Sequence, residues 1–304
     1  MMQRGRIDLA SVPGGFDLQS TLESGQTYLW WREDGADYEA TETYGDDGWY
    51  LTTTREMGAP AVIKTRQRDG YLEWRSNIDA EEILRRRLGL EDDLEKIRAE
   101  TPVEPLIDNA YDRYWGMRIV REPAFGGVIS FICSAQMRVS RIHGMQQSLR
   151  SAFGTAIEFD GETYHAYPTP AQLAEATESE LRDLSLGYRA PYVKETATMV
   201  ANGSDPNEAS ELAYEDARES LTQYMGVGDK VADCVLLFSL GYLEAVPLDT
   251  WIRSAIEEYY PECEKGSYAE TSRAIRDRLG GKYAGYTQTY LFHHLRTTDE
   301  PVSG

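Results

Sequence analysis

The first hundred residues alternate apolar and polar positions in short runs separated by turn residues. Residues 38–55 (YEATETYGDDGWYLTTTR) and 59–75 (APAVIKTRQRDGYLEWR) are rich in Thr, Tyr, Trp and Val, which favour strands. Both runs contain adjacent Gly and Asp residues, which favour tight turns. The pattern predicts β-hairpins that build an antiparallel sheet.

The next segments follow the helical period. A charged stretch at 79–100 has helical spacing, and Pro102 and Pro105 mark a break after it. From about Pro123 onward the pattern is helical, and residues 125–154 predict either one long helix or two joined helices.

Two further helical segments complete the pattern. Residues 169–188 open with Thr-Pro, a common helix start, and residues 267–296 predict two helices split at Gly280 and Gly281. The sequence therefore predicts an α+β protein, with a β-rich domain at 1–121 followed by an all-α domain at 122–304.

Composition indicates a soluble protein with an acidic surface. Hydrophobic residues make up 41% of the 304 residues, and no apolar run approaches the roughly 20 residues of a membrane span. The N-terminus lacks the apolar block of a signal peptide, so we expect an intracellular, cytoplasmic protein that does not bind membranes. The net charge of −20 and the presence of only six lysines are typical of salt-adapted proteins. Such a charge argues superficially against a nucleic-acid partner, although a local basic patch is compatible with it.

The cysteines and histidines predict no metal site. The three cysteines are far apart, without the spacing of a zinc or iron–sulfur site and without a disulfide framework. The four histidines form no metal motif, and we expect no cofactor.

A glycine turn at Gly226 and Gly228 lies between two predicted helices. Two glycines around Val227 allow a tight turn with positive φ, and Asp229 could cap the following helix. A glycine turn that opens a helix presents free N–H groups, which can hold a phosphate without a basic side chain. An ordinary helix–turn–helix corner is the equally simple alternative.

Lys230 and Asp249 are the candidate chemical groups. Lys230 lies in the first turn of the helix, with Cys234 on the same face, and the field at the helix start should lower its pKa and leave a nucleophilic amine. Asp249 follows Pro247 and should cap the next helix, which would fix its carboxylate. A surface lysine and a plain capping aspartate are the alternatives.

The segment MGVGDKVADCVLLFSLGYLEAVPLDT closely resembles the helix–hairpin–helix, Gly-Pro-Asp superfamily of base-excision DNA glycosylases, and specifically its 8-oxoguanine DNA glycosylase branch. That branch carries a Gly-Val-Gly-x-Lys-Val-Ala-Asp-Cys hairpin and a Val-Pro-x-Asp segment. ESGQTYLWW, VISFICSAQMRVSRIHGM, LSLGYRAPYV and YAGYTQTYLF resemble further motifs of the family, from Gly25 to Phe292. The resemblance implies a TBP-like antiparallel sheet followed by an all-α helix–hairpin–helix domain.

The resemblance also implies roles for individual residues. Lys230 matches the lysine that attacks the sugar C1′ and forms a Schiff base, and Asp249 matches the aspartate that stabilises the positive charge on the sugar. The matches for binding the flipped base are Gly25, Cys234, Gln288 and Phe292. The matches for contacts with DNA and the opposite base are Gln136, Arg141, Tyr188, Arg189, Gly226 and Gly228.

The implied activity is excision of 8-oxoguanine from damaged double-stranded DNA, followed by strand cleavage, by a monomer. By the same resemblance a monovalent cation could bind carbonyls of the 222–227 hairpin. Gln136 stands where the family has asparagine, and this departure puts strict preference for cytosine in doubt. Trp251 stands where the family has histidine, which removes a phosphate contact or replaces it with stacking. A glycosylase for alkylated or other damaged purines and a non-catalytic DNA-binding module are the alternatives.

Overall fold

The computed structural model describes residues 2–38, 47–56 and 58–298. Its N-terminal part contains an antiparallel sheet of five strands in the order β1-β5-β4-β3-β2. The strands are β1 (Gln3–Asp8), β2 (Trp30–Arg32), β3 (Tyr50–Glu56), β4 (Ala59–Arg68) and β5 (Tyr71–Ser76). The hairpins predicted in 38–55 and 59–75 are confirmed as β3, β4 and β5, while residues 39–46 of the first run lie outside the described residues.

The helices follow the sheet, except for one short helix that precedes β2. The helices of the N-terminal part are α1 (Leu18–Glu23), α2 (Glu81–Arg87), α3 (Leu94–Ala99) and α4 (Pro105–Arg113). Those that follow are α5 (Ala124–Ser134), α6 (Val139–Phe153), α7 (Pro170–Glu175), α8 (Glu178–Leu181), α9 (Ala190–Ala201), α10 (Tyr214–Leu221), α11 (Asp229–Phe238), α12 (Thr250–Tyr259), α13 (Tyr268–Arg278) and α14 (Ala284–Thr298). The predicted α+β class is confirmed.

A second sheet, which the sequence analysis did not predict, lies among the helices. It is a hairpin of β6 (Ala156–Phe159) and β7 (Glu162–His165). Ile157 and Phe159 pack with Val62 of β4 in a small apolar cluster. This contact explains why consecutive residues of β4 are buried on both faces.

Two of the predicted helical stretches are resolved by their backbone geometry. The stretch 125–154 forms two helices, α5 and α6, and Gln136 between them has φ +52°. The split between α13 and α14 falls at Gly280, which has φ +106°, as the paired glycines predict.

The last helix ties the two parts together. The Tyr290 ring of α14 stacks on the Tyr111 ring of α4, with centroids 3.9 Å apart, and the Tyr290 hydroxyl donates to the Met117 carbonyl at 2.9 Å. The Gly285 N–H donates to the Leu243 carbonyl at 2.8 Å, which fixes α14 beside the segment that follows α11. Within the described ranges, no helix combines the length and apolar character that crossing a bilayer requires.

Candidate active site

One cavity is lined by residues from both parts of the chain. Its wall consists of Ser24, Gly25, Gln26, Tyr28, Phe131, Lys230, Cys234, Phe238, Pro247, Asp249, Gln288, Thr289 and Phe292. All six residues predicted for catalysis or base binding lie in this wall. The two candidate chemical groups, which are 19 positions apart in the sequence, therefore face the same space.

Lys230 is the second residue of α11, and its Nζ lies 5.9 Å from the centroid of the Phe131 ring. Burial by itself lowers the pKa of Lys230, but Cys234, Asp249 and Tyr28 outweigh burial and raise the pKa above its ordinary value. The prediction of a lowered pKa is wrong, because these neighbouring groups outweigh the effect of burial. Lys230 is consequently protonated at neutral pH and must lose a proton before it can act as a nucleophile.

Cys234 lies one helical turn after Lys230 and is 3% exposed. Burial raises the pKa of the Cys234 thiol to about 11, and Lys230 only partly opposes this shift. The thiol is therefore neutral at pH 7. Among the groups that raise the pKa of Lys230, Asp249 is the one with the lowest ordinary pKa and so supplies the negative charge.

Asp249 caps α12, as the sequence predicts. Its Oδ1 accepts a hydrogen bond from the Ile252 N–H at 2.8 Å. Burial raises the pKa of Asp249, while Lys230 and the N–H groups of Ile252 and Trp251 act in the opposite direction. The cap fixes the direction of the carboxylate, and the cavity places that carboxylate beside Lys230.

The position of Gly25 leaves no room for a side chain. Its φ is +92°, and a Cβ there would lie 2.8 Å from Arg296 Nη1 and 3.1 Å from Phe292 Cε1. The next residue, Gln26, is buried and fixes this segment, because its Nε2 donates to the Arg118 carbonyl at 2.7 Å. The same amide's Oε1 accepts the Val120 N–H at 2.9 Å. The Ser-Gly-Gln motif thus holds a bare backbone against α14.

Two residues one turn apart on α14 form the facing wall, and a third, one turn later, contacts them from outside the wall. Gln288 is buried and Phe292 half-buried, and both line the cavity. Arg296, one turn later, donates through Nη2 to the Glu23 carbonyl at 2.6 Å, and its guanidinium lies 5.4 Å from the Phe292 ring centroid. The sequence analysis missed Arg296, Tyr28 and Phe131. The four-residue spacing from Gln288 through Phe292 could have identified Arg296.

The residues predicted to contact DNA lie outside this cavity wall. Gln136 and Arg141 are exposed at the junction of α5 and α6, and Tyr188 is 51% exposed. Arg189 is buried instead, with its Nη2 bonded to the Ala135 carbonyl and its guanidinium 4.3 Å from the Tyr188 ring centroid. Arg189 therefore connects the Tyr188 turn to the residue before Gln136.

The glycine turn before α11 takes positive φ at only one of its two glycines. Gly226 has φ +85°, and a Cβ there would lie 2.8 Å from Tyr192 Cβ. Gly228 has φ −95° and is itself the N-cap, so the prediction that Asp229 caps α11 is wrong. The Asp229 carboxylate lies 3.9 Å from Arg218 instead. The exposed start of α11 leaves N–H groups without a side-chain cap, which suits an anion.

The hairpin 222–227 contains oxygen atoms of the type that can bind a monovalent cation. It offers main-chain carbonyls, and one of them, that of Met225, accepts the Thr196 hydroxyl at 3.1 Å. Carbonyl and hydroxyl oxygens are suitable ligands for hard cations. Across the described part of the chain, no group of three or more His, Cys, Asp or Glu side chains is arranged to hold a metal ion.

Comparisons with known proteins agree with this arrangement. Residues 129–280 match the model of the HhH-GPD superfamily of base excision DNA repair proteins. The chain is 32% identical to a probable N-glycosylase/DNA lyase of Methanothermobacter thermautotrophicus, over 93% of this chain and 94% of that protein. It is 30% identical to the N-glycosylase/DNA lyase of Saccharomyces cerevisiae, over 90% of this chain and 82% of that protein. The crystal structure of Clostridium acetobutylicum 8-oxoguanine glycosylase/lyase, in complex with double-stranded DNA containing cytosine opposite 8-oxoguanine, superposes with a TM-score of 0.81. That protein is 26% identical to the chain, and the match covers 97% of both chains.

Proposed function

The chain belongs to the HhH-GPD superfamily of base excision DNA repair proteins, and from this premise we propose that it is a bifunctional glycosylase and lyase that removes 8-oxoguanine from DNA. One observation carries the proposal. Lys230 and Asp249 line the same cavity as Gly25, Cys234, Gln288 and Phe292. A nucleophilic amine, a carboxylate and a cavity wall of mixed polarity are the parts that such a reaction needs.

Lys230 carries the bond-making step in this proposal. Once Lys230 has lost its proton, its amine attacks C1′ and the C1′–N9 bond breaks, so that the electron pair leaves with the base. Opening of the sugar ring gives an imine between Lys230 and C1′. Removal of a proton from C2′ then expels the 3′ phosphate, which cuts the strand. Asp249 stabilises the positive charge on the sugar while the base departs.

The cavity wall supports a role in lesion recognition. 8-Oxoguanine carries a hydrogen on N7 that guanine lacks, so an acceptor placed at N7 distinguishes the two bases. The Gly25 carbonyl is our candidate acceptor, because the backbone there approaches α14 without a side chain. Gln288 is the candidate for the Watson–Crick edge of the base, and Cys234 and Phe292 for its two faces. The base reaches this site only after it is flipped out of the duplex.

A second surface would hold the duplex. Tyr188 is exposed enough to enter a base stack. Gln136, just before α6, and Arg141, in the first turn of α6, are also exposed. We assign the opposite base to Gln136 and Arg141, with Arg189 supporting them. The N–H groups at Gly228 and the start of α11 are candidates for a backbone phosphate, which would allow a chain of net charge −20 to bind DNA. We expect the protein to act as a monomer on damaged double-stranded DNA.

The test is covalent trapping. Incubation with a duplex containing 8-oxoguanine and with borohydride should give a protein–DNA adduct, because borohydride reduces the imine. The adduct should be lost in Lys230→Gln, which removes the amine. Release of the base without any adduct would overturn the lyase and favour an alkylpurine-type glycosylase. DNA binding without either product would leave only a binding module. Use of all four bases opposite the lesion would test the role of Gln136.

A further inference from the structure

A buried carboxylate lies directly behind the catalytic cavity. Asp233 precedes Cys234 on α11 and has no exposed surface. Its Oδ1 accepts the Tyr214 hydroxyl at 2.7 Å, and its Oδ2 accepts the Tyr268 hydroxyl at 2.7 Å. The Arg218 guanidinium lies 3.9 Å from Oδ2. Two tyrosine hydroxyls therefore donate hydrogen bonds of equal length to one carboxylate. We expect neither the base nor the sugar to reach this carboxylate.

The two tyrosines differ in what else their hydroxyls contact. The Tyr268 hydroxyl also accepts the main-chain N–H of Leu248 at 3.1 Å, whereas the Tyr214 hydroxyl lies 3.4 Å from the Ser272 hydroxyl. Leu248 immediately precedes Asp249. One oxygen atom, that of Tyr268, thus joins the helix that carries Lys230 to the segment that carries Asp249.

The carboxylate sets the direction of this link. When Asp233 is ionised, Tyr268 donates its proton to the carboxylate, and the lone pairs of the Tyr268 oxygen remain available to the Leu248 N–H. A hydroxyl bound to a carboxylate is a stronger and more fixed acceptor than a hydroxyl in water. Asp249 is then fixed on both sides, by the Leu248 bond before it and by its own cap to Ile252 after it.

We propose that Tyr268 is a positioning residue, whose hydroxyl, oriented by Asp233, sets the place of the Asp249 carboxylate relative to the Lys230 amine. The inference rests on the proposed function, since it assumes the roles given to Lys230 and Asp249. Small displacements of reacting groups cost large factors in rate, so one hydrogen bond to the main chain beside Asp249 is enough to matter.

The test compares two matched variants. Tyr268→Phe and Tyr214→Phe each remove one 2.7 Å hydrogen bond to Asp233 and keep the ring, but only Tyr268→Phe also removes the acceptor of the Leu248 N–H. We expect Tyr268→Phe to slow single-turnover imine trapping roughly tenfold, with unchanged DNA affinity. Tyr214→Phe should lose thermal stability, though less than Tyr268→Phe because the Leu248 N–H keeps its acceptor, and should trap close to the wild-type rate. Equal rate losses in the two variants would overturn the inference.

A double variant separates positioning from a general structural role. If Tyr268 acts through Asp249, Tyr268→Phe should slow trapping little further in an Asp249→Asn background, whereas independent effects would multiply. Multiplied losses would refute the inference. Should Tyr268→Phe not fold, Asp233→Asn takes its place. We expect this variant also to slow trapping roughly tenfold at unchanged DNA affinity, and multiplied losses in the Asp249→Asn background would again refute the inference. The wild-type protein tests the proposed function separately, since a wild type that traps nothing refutes that function and the inference with it.

Discussion

Replacing Gly25 by alanine adds a single methyl group to the candidate recognition site. The backbone at Gly25 has φ +92°, where an L-residue is strained by roughly 1–2 kcal/mol. The new Cβ would also lie 2.8 Å from Arg296 Nη1 and 3.1 Å from Phe292 Cε1. The Arg296 end can yield, but Phe292 must move by a few tenths of an ångström, and the Gly25 carbonyl must move with the strained backbone.

The backbone strain should lower Tm by about 2–8 °C, at about 2–4 °C per kcal/mol for a chain slightly smaller than this one. The displacement of the carbonyl and of Phe292 should slow excision of 8-oxoguanine roughly 10- to 100-fold. Imine trapping on a preformed abasic site should keep its rate, because it needs Lys230 and Asp249 but no base. The assay is therefore single-turnover excision and abasic-site trapping with the same protein.

Gly70→Ala provides the matched control. Gly70 has φ +81°, and no atom lies within 4 Å of the position of its Cβ, so it carries the same kind of backbone strain without the contacts. We expect Gly70→Ala to lower Tm by a similar amount and to excise 8-oxoguanine at the wild-type rate. Wild-type excision in Gly25→Ala, or an equal loss on abasic-site DNA, would refute the assignment of Gly25 to lesion recognition.

Three further predictions concern the helix starts and the buried charges. Asp249→Asn should keep its fold and its DNA affinity, because asparagine also caps helices, and should lose most turnover; an unfolded variant in thermal melts would show that capping dominates. Gly226→Ala should weaken DNA binding and stability, since its φ is +85° and Tyr192 blocks the Cβ. Gly228→Ala, with φ −95° and open space around its Cβ, should retain DNA affinity and lose only the stability that alanine costs at an N-cap; equal affinities of the two variants in a binding titration would contradict this. Burial raises the pKa of Asp233 to about 7 from 3.8, so the folded protein binds a proton there more tightly than the unfolded chain. The contribution of Asp233 to stability should therefore fall as pH rises from about 4 to about 7. Asp233→Asn should gain stability relative to wild type over that range in thermal melts; a constant difference would refute the shift.

Local signals account for the parts of the fold that the sequence predicts. The turn at Asp69 and Gly70 lies between two alternating runs, and the hairpin forms there. The paired glycines at 280 and 281 end one helix and begin another for the same local reason. The β6–β7 hairpin was missed although residues 160–161 carry an Asp-Gly turn, because the surrounding segments have the helical period.

The site depends on contacts that no local pattern contains. The pKa of Lys230 depends on Asp249, which lies 19 positions away and which only the folded chain brings beside it. Aspartate is a residue type that often caps helices, yet the Asp229 side chain lies near Arg218, and Gly228 is the N-cap of α11. The bond from Arg296 to the Glu23 carbonyl joins residues 273 positions apart, and spacing cannot predict it.

That long-range bond has a consequence for how the enzyme is made. The pocket joins Gly25 and Phe292, so a ribosome must deliver α14 before any lesion could be held. Competence to hold a lesion therefore requires α14 to be synthesised and packed against the segment around Gly25.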